Sequence, residues 1–343
     1  MEKAFHLCGR LFFMMRIGIN GFGRIGRMTA RLIMQAPDME LVAINDVASI
    51  QAMTHLFKYD SIHGRYRGNI AVHQDSILID GHSVSYSSED HPSTIPWGRA
   101  GVDIVIEASG KFLKTEDANE HLRDGVQRVV LSAPSPDERI QAIVLGVNDD
   151  LLKSSDKIVS NASCTTNSAA PMVKIIHELC QIESCYITTV HSYTGDQKLH
   201  DAPHRDFRRG RAAAESIVPT TTGAAKALTK IFPDLVDVLG GCGIRVPVPD
   251  GSLTDITCIV KNPQPISVIN RAFFTASQGA MKGVLDYTED PIVSKDIVGD
   301  SHSCIFDSQL TSVIGSMVKV VGWYDNEIGY SNRLIDLIRK WTA

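Results

Sequence analysis

The sequence predicts an α/β protein: a Rossmann-type parallel-sheet domain joined to an α+β catalytic domain with a mostly antiparallel sheet. Three observations carry this expectation. A glycine-rich loop, Gly21-Phe22-Gly23-Arg24-Ile25-Gly26, lies between a β-rich run and a helical pattern. Short, continuously apolar runs bounded by small residues recur through the first half, as strands buried on both faces require. The second half carries a β-branched, strand-like run at residues 186–190 and longer runs of alternating polarity at 253–261 and 317–323, which suit a sheet with one solvated face.

The elements follow in order. Residues 16–20 form the first strand, and residues 27–35 place apolar side chains at helical spacing. A second strand, 40–45, ends at Asp46, which follows Gly26 by 20 residues. A lone G-x-G-x-x-G is weak evidence. One that leaves a strand, opens a helix and precedes an acidic strand end is a dinucleotide-binding pattern. Gly21 permits the tight turn, Gly23 lets a pyrophosphate reach the backbone, and Gly26 allows close helix–strand packing. Arg24 and Ile25 open the helix whose N-terminus stabilises the pyrophosphate, and Asp46 can accept from ribose hydroxyls. Further strands are expected at 102–107, 128–131, 142–148 and 157–160. The small-residue loops after them, Ser132 included, should line the nicotinamide side, because ligands sit beyond the carboxyl ends of such strands.

Size and composition narrow the class. A chain of 343 residues divides naturally into two domains. The expected division is an extension over residues 1–14 with no motif, taken as disordered; a NAD-binding domain over 15–163 and 326–343; and a catalytic domain over 164–325. Net charge of −5 supplies no basic field for nucleic acid or an anionic membrane. No apolar run is long enough to span a bilayer. The seven cysteines are dispersed without a C-x-x-C pair, which argues against a metal site and for reduced thiols in the cytoplasm.

Cys164 stands apart from the other cysteines. It lies in Ser160-Asn161-Ala162-Ser163-Cys164-Thr165-Thr166-Asn167, between a strand and an expected helix. Unpaired N–H groups and the positive end of the helix dipole would lower the thiol pKa there. His191 ends the strand 186–190 and is a candidate base and thiolate partner. Thr194 follows closely. An arginine-rich stretch, residues 196–211, contains Arg209. Pro219-Thr220-Thr221-Thr222-Gly223 offers hydroxyls and N–H groups before a helix, which suits phosphate. Arg245 sits in an otherwise apolar strand, where it must either pair internally or await an anion. Helices are expected near 268–279 and 331–341.

Taken together these motifs resemble the phosphorylating glyceraldehyde-3-phosphate dehydrogenases over residues 15–343. The carriers are residues 19–27, Ser160–Asn167, His191-Ser192-Tyr193-Thr194, Thr222-Gly223-Ala224-Ala225-Lys226, Arg245-Val246-Pro247 and Trp323-Tyr324-Asp325-Asn326-Glu327. The resemblance implies that Cys164 attacks an aldehyde and that His191 acts as base. It implies that Thr194 and Arg245 bind the substrate phosphate. Ser163, Thr165, Thr222, Gly223 and Arg209 would bind inorganic phosphate, and Asn326 the nicotinamide carboxamide. It further implies NAD, with NADP as a secondary cofactor, and a homotetramer in which the segment 193–216 meets a neighbouring subunit. Some positions depart from the family pattern. Ser168 stands where a second cysteine is common, Asp90 where a basic cofactor contact is common, and Ile328 where an aromatic is common. Ala202-Pro203 mixes the NAD and NADP patterns. The rival is an erythrose-4-phosphate dehydrogenase, whose relatives usually lack the equivalents of Thr194 and Thr222-Gly223 and carry Glu at the position of Asp46.

Overall fold

The structure, a computed structural model, describes residues 4–7 and 10–343, with the side chains of residues 14–343. The chain forms two compact units. At its start β1 (Ala4–Leu7) and β2 (Arg10–Phe13) pair with each other antiparallel. Beyond these two backbone strands, the expectation for residues 1–14 lies outside the described residues.

The first unit comprises residues 1–143, 150–162 and 334–343. Its strands are β3 (Met15–Asn20), β4 (Met39–Asn45), β5 (Ile70–His73), β6 (Ser76–Ile79), β7 (His82–Ser87), β8 (Ile104–Glu107), β9 (Arg128–Leu131), β10 (Gln141–Ala142) and β11 (Ile158–Ser160). They build a nine-stranded sheet in the order β10-β11-β9-β8-β3-β4-β7-β6-β5. All pairings from β10 to β7 are parallel, and β5 and β6 add an antiparallel edge. The helices are α1 (Arg24–Ile33), α2 (Ile50–Lys58), α3 (Trp97–Ala100) and α4 (Thr115–Asn119). Ile17, Ile19, Val105, Ile106, Val129 and Val130 are fully buried, each contributing about 2 kcal/mol by removal of apolar surface from water.

A chain of polar groups runs through this core. Trp97 Nε1 donates to His121 Nδ1 at 3.1 Å, so His121 carries its proton on Nε2, which donates to Glu107 at 3.0 Å. The buried Glu107 also accepts from Asn20 Nδ2 at 2.5 Å and from the Ser109 N–H at 2.8 Å. Asn45 completes the chain by donating to Asn20 at 2.9 Å. The network holds the ends of β3, β4 and β8 together with every member satisfied, which is what makes it tolerable inside.

The strand expected over 142–148 is shorter. After β10 the Val144 N–H donates to Asn148 Oδ1 at 2.7 Å, and Gly146 takes φ 76. A side-chain-closed turn therefore replaces the ladder.

The second unit comprises residues 144–149 and 163–333. It contains α5 (Cys164–Cys180), β12 (Ile182–Ser192), β13 (Val218–Thr220), α6 (Ala224–Ile231), β14 (Leu239–Val246), β15 (Ser252–Val260), α7 (Ile266–Gln278), β16 (Leu285–Thr288), β17 (Cys304–Asp307), β18 (Ser312–Ile314) and β19 (Met317–Tyr324), and α8 (Ile328–Thr342) begins here. The sheet order is β13-β14-β12-β15-β19-β17-β16, with β18 on β19. Only β12/β14 and β16/β17 are parallel, so the sheet is mostly antiparallel as expected. Along β15 burial alternates strictly over Ser252–Val260, the mark of one packed and one open face. Helix α5 packs on this sheet and is buried along most of its length. In the parallel pair β12/β14, His191 stands opposite Arg245. That register is the most consequential feature of the unit.

Candidate active site

In the first unit, the glycine-rich loop turns where β3 ends. Gly21 has φ 90 and its N–H donates to Asn45 O at 2.8 Å. A Cβ there would lie 2.4 Å from the Ser109 nitrogen, and one on Gly26 would lie 2.1 Å from Gly21 O. Both positions therefore require glycine. A Cβ on Gly23 would meet nothing within 4 Å, so it would only fill the open space before α1. No side chain caps α1, and its first turn has no acidic residue. Its leading N–H groups thus face a cradle suited to a pyrophosphate. Arg24 turns its guanidinium to Asp60, and Ile25 is half-buried, so both meet the cradle through backbone.

Asp46 closes the far side. One carboxylate oxygen accepts from the Phe22 N–H at 2.7 Å and the other from the Ala48 N–H at 2.9 Å. These bonds hold the carboxylate at the rim of a cleft lined by Gly21, Gly23, Asn45, Asp46, Ala108 and Ser109. A ribose with two hydroxyls fits this acceptor. Lys111 and Phe112, which also line the cleft, were not singled out from sequence. Ser132 lies half-buried after β9, its N–H on Glu107 O at 2.9 Å.

In the second unit, α5 begins at Cys164. Ser163 is its N-cap and accepts from the Thr166 N–H at 3.0 Å. The preceding Ala162 takes φ 54, a left-handed turn uncommon outside glycine. This local geometry aims Sγ at His191 Nε2, 3.6 Å away. The other imidazole nitrogen, Nδ1, lies 2.8 Å from Ser192 O and 2.7 Å from Arg245 Nη1. Tyr324 presents its ring edge to His191 with centroids 6.0 Å apart. Its hydroxyl joins Thr165 Oγ1 at 3.0 Å and Thr189 Oγ1 at 2.8 Å. Tyr324 and the Ser192 carbonyl were not identified from sequence as parts of the site. Position within a strand carries no such signal.

The electrostatics correct one expectation. The sequence suggests a thiol acidified by a helix start. Instead, burial pushes the Cys164 thiol up, against the opposing pull of Arg245 and Thr165. Desolvation of an anion outweighs one helix end and one cation. Burial and then Arg245 push His191 down to about 3. Burial thus works against a charge on either member of the pair. Arg245, lowered chiefly by burial, makes no ion pair among the described residues.

The remaining sites are placed as follows. Thr194 lies half-buried just past β12, its N–H on Gln197 at 3.3 Å. Thr222 Oγ1 accepts from the Ala224 N–H at 3.2 Å, with Gly223 as the N-cap of α6. Arg209 is already engaged: it donates to Asp196 at 2.5 Å, to Thr220 Oγ1 at 2.9 Å and to Thr221 O at 3.2 Å. The Thr165 hydroxyl is turned to Tyr324. Asn326 Oδ1 accepts from Ser192 and Ser252 hydroxyls at 2.9 and 2.7 Å, which fixes the amide with Nδ2 as its remaining donor. Ser168, in place of a second cysteine, pairs with Thr254 in the core at 3.1 Å.

Comparison with known proteins agrees with this geometry. Residues 15–115 match the family described as glyceraldehyde 3-phosphate dehydrogenase, NAD binding domain. Residues 163–326 match its C-terminal domain. Glyceraldehyde-3-phosphate dehydrogenase 2 of Streptomyces avermitilis is 51% identical over 94% of this chain and 97% of its own length. The glyceraldehyde-3-phosphate dehydrogenase of Geobacillus stearothermophilus is 47% identical over 94% and 96%, and that of Mycobacterium avium 48% over 94% and 97%. A thiol and an imidazole held face to face in the second unit, a nucleotide cradle in the first, and near 50% identity along almost the whole length lead to one conclusion: the chain belongs to the glyceraldehyde-3-phosphate dehydrogenase family.

Proposed function

We propose that this chain oxidises D-glyceraldehyde 3-phosphate with NAD and inorganic phosphate to 1,3-bisphosphoglycerate, through a thioester on Cys164. The contact of Cys164 Sγ with His191 Nε2, beside a half-buried arginine that has no carboxylate partner among the described residues, carries this reading. Residues 15–163 with 326–343 would hold NAD, through Gly21, Gly23, Arg24, Ile25, Gly26, Asp46, Ser132 and Asn326. NAD supplies the hydride acceptor when bound.

The chemistry belongs to residues 164–325. His191 takes the Cys164 proton, and the thiolate attacks the aldehyde carbon. The Cys164 N–H and the His191 side chain stabilise the oxyanion. His191 then returns that proton to the oxyanion, giving the hydroxyl of a thiohemiacetal, and accepts it back as the hydride departs, leaving a thioester. Inorganic phosphate cleaves that thioester and restores the thiol. Thr194 and Arg245 orient the substrate phosphate by charge-assisted hydrogen bonds. Ser163, Thr165, Thr222, Gly223 and Arg209 receive the attacking phosphate, which must compete with Asp196 for Arg209.

The assembly is a homotetramer in this reading. Leu199 and Phe207 are 74% and 89% exposed in the segment assigned to a subunit contact, and Ile217, just after it, is 70% exposed. Large apolar side chains exposed in that way support burial against a second copy. The protein works in the cytoplasm. All six described cysteines are free, including Cys185 and Cys258, which stand opposite each other on β12 and β15, and no described helix is long and apolar enough to cross a membrane.

Purified protein should form NADH only when glyceraldehyde 3-phosphate, NAD and phosphate are all present, and arsenate should replace phosphate. Faster oxidation of erythrose 4-phosphate at a rate indifferent to phosphate would establish the rival activity instead.

A further inference from the structure

The ribose side of the nucleotide cleft carries more negative charge than holding a dinucleotide requires. Three carboxylates line the cleft, those of Asp46, Glu89 and Asp90, against one ammonium, that of Lys111. Glu89 is half-buried and Asp90 exposed, and neither carboxylate makes an ion pair or a hydrogen bond among the described residues.

Their placement is built into the sheet. The end of β7 lies beside the end of β4, and side chains lace the two together. Asn45 Nδ2 donates to Glu89 O at 2.9 Å, and Asn45 Oδ1 accepts from the Glu89 N–H at 2.9 Å. The Ser88 hydroxyl donates to Asp46 O at 2.9 Å, and the Tyr86 hydroxyl to Ala48 O at 2.8 Å. These bonds use backbone and neutral side chains only. They fix where Glu89 and Asp90 stand and leave both charges uncompensated. Lys111 belongs to the other side of the glycine-rich loop. It follows β8, and the order β8-β3-β4-β7 puts two strand spacings between that strand and β4, and three between it and β7. At about 4.8 Å a spacing these are about 10 and 14 Å, beyond the screening length of about 8 Å at physiological salt. The field on the ribose side is therefore that of the carboxylates.

We infer that Glu89 and Asp90 determine specificity: with Asp46 they form a carboxylate row that rejects any adenosine bearing a phosphate on its ribose. Asp46 accepts from ribose hydroxyls, so the 2′ and 3′ oxygens both lie at this row. A phosphate on either would meet three like charges instead of one. A plain dinucleotide brings its own phosphates to the start of α1 and only an uncharged ribose to the row. The row thus acts beyond the choice between NAD and NADP, because it turns away 3′-phosphoadenosine compounds as well.

The inference rests on the reading of this cleft as the adenosine site of NAD, and the test separates the two. Binding of NADH and NADPH to the full-length protein is followed by their fluorescence, without substrate. Glu89→Gln with Asp90→Asn removes both charges at constant size, and Glu89→Asp with Asp90→Glu keeps both charges. At about 20 mM ionic strength the screening length is about 20 Å. There the neutral double variant should lower the ratio of the NADPH to the NADH dissociation constant at least about tenfold. At about 500 mM, where that length is about 4 Å, the same variant should move the ratio less than about threefold. The charge-keeping variant should hold the ratio within about twofold of native at both. A neutral variant with the native ratio at low salt overturns the inference. So does an equal drop at both salt levels, or the same drop in the charge-keeping variant, since shape and not charge would then be the cause.

The native protein supplies an arm that needs no variant to fold. At low salt, adenosine 3′,5′-bisphosphate should displace NADH at least about tenfold less well than adenosine 5′-monophosphate, and the gap should narrow as salt is added. Equal displacement by the two overturns the inference. If NADH binds while these signatures are missing, the carboxylate row fails and the cofactor reading stands. If NADH does not bind at all, the cofactor reading itself fails.

Discussion

His191→Asn should change how stability depends on pH, by an amount the structure sets. The imidazole is 6% exposed and is packed against Cys164 from α5, Arg245 from β14 and Tyr324 from β19. None of these is an anion at neutral pH, so nothing compensates a buried imidazolium. Its pKa falls from 6.5 to about 3. The unfolded chain therefore binds a proton that the folded chain refuses between pH 6.5 and about 3, and stability falls as pH falls through that window. At pH 7.5 the group is neutral in both states. At pH 5.5 it is about nine-tenths protonated in the unfolded chain, which costs the folded state about 1.4 kcal/mol. The asparagine variant lacks this contribution. Native protein should thus lose about 1.4 kcal/mol relative to the variant between pH 7.5 and 5.5. The substitution also removes packing and a hydrogen bond, but that loss is constant with pH and cancels in the comparison. Urea unfolding of both proteins at both pH values, at one fixed protein concentration, measures it. A native-minus-variant difference that stays constant would refute the claim that His191 is held neutral.

Three further outcomes are expected. Cys164→Ser should reduce dehydrogenase activity below about a thousandth of native; substantial activity in the variant would end the thioester mechanism. NAD should be preferred, and Asp46→Asn should lower kcat/KM for NAD while raising the NADP-to-NAD efficiency ratio at least about tenfold, since a 2′-phosphate would meet Asp46 at close range; steady-state rates with both cofactors check this. Thr222→Ala should raise the KM for phosphate about tenfold, the value of one hydrogen bond to an anion, with the KM for NAD unchanged; equal shifts in both would remove Thr222 from the phosphate site.

Much of the site is local in sequence and was legible there. The turn at Gly21, the contact of Gly26 with Gly21 O and the uncapped start of α1 follow from a few adjacent residues. So does the start of α5, where Ser163 caps the helix and leaves Cys164 as its first residue. Asp46 is legible too, because two parallel neighbours joined by one helix put the end of the second strand beside the first. Short-range hydrogen bonds and side-chain period decide such features, and both are written in neighbouring residues.

Other features needed the folded chain. Residues 142–148 read as an apolar strand, but the Asn148 side chain closes a turn on Val144 instead. The thiol reads as acidified, but the desolvation that opposes it depends on what α5 packs against. Tyr324 reads as one more core residue of β19, although its hydroxyl ties Thr165 to Thr189. By itself the sequence determined the family, the two-part α/β architecture, the nucleotide cradle and the cysteine that begins α5. Only the tertiary structure decided that Arg245 stands at His191 Nδ1. Those residues are 54 positions apart, and their meeting depends on the register of β12 against β14. A one-residue slip would turn that side chain to the other face of the sheet, and neither strand's own pattern states which partner it will take.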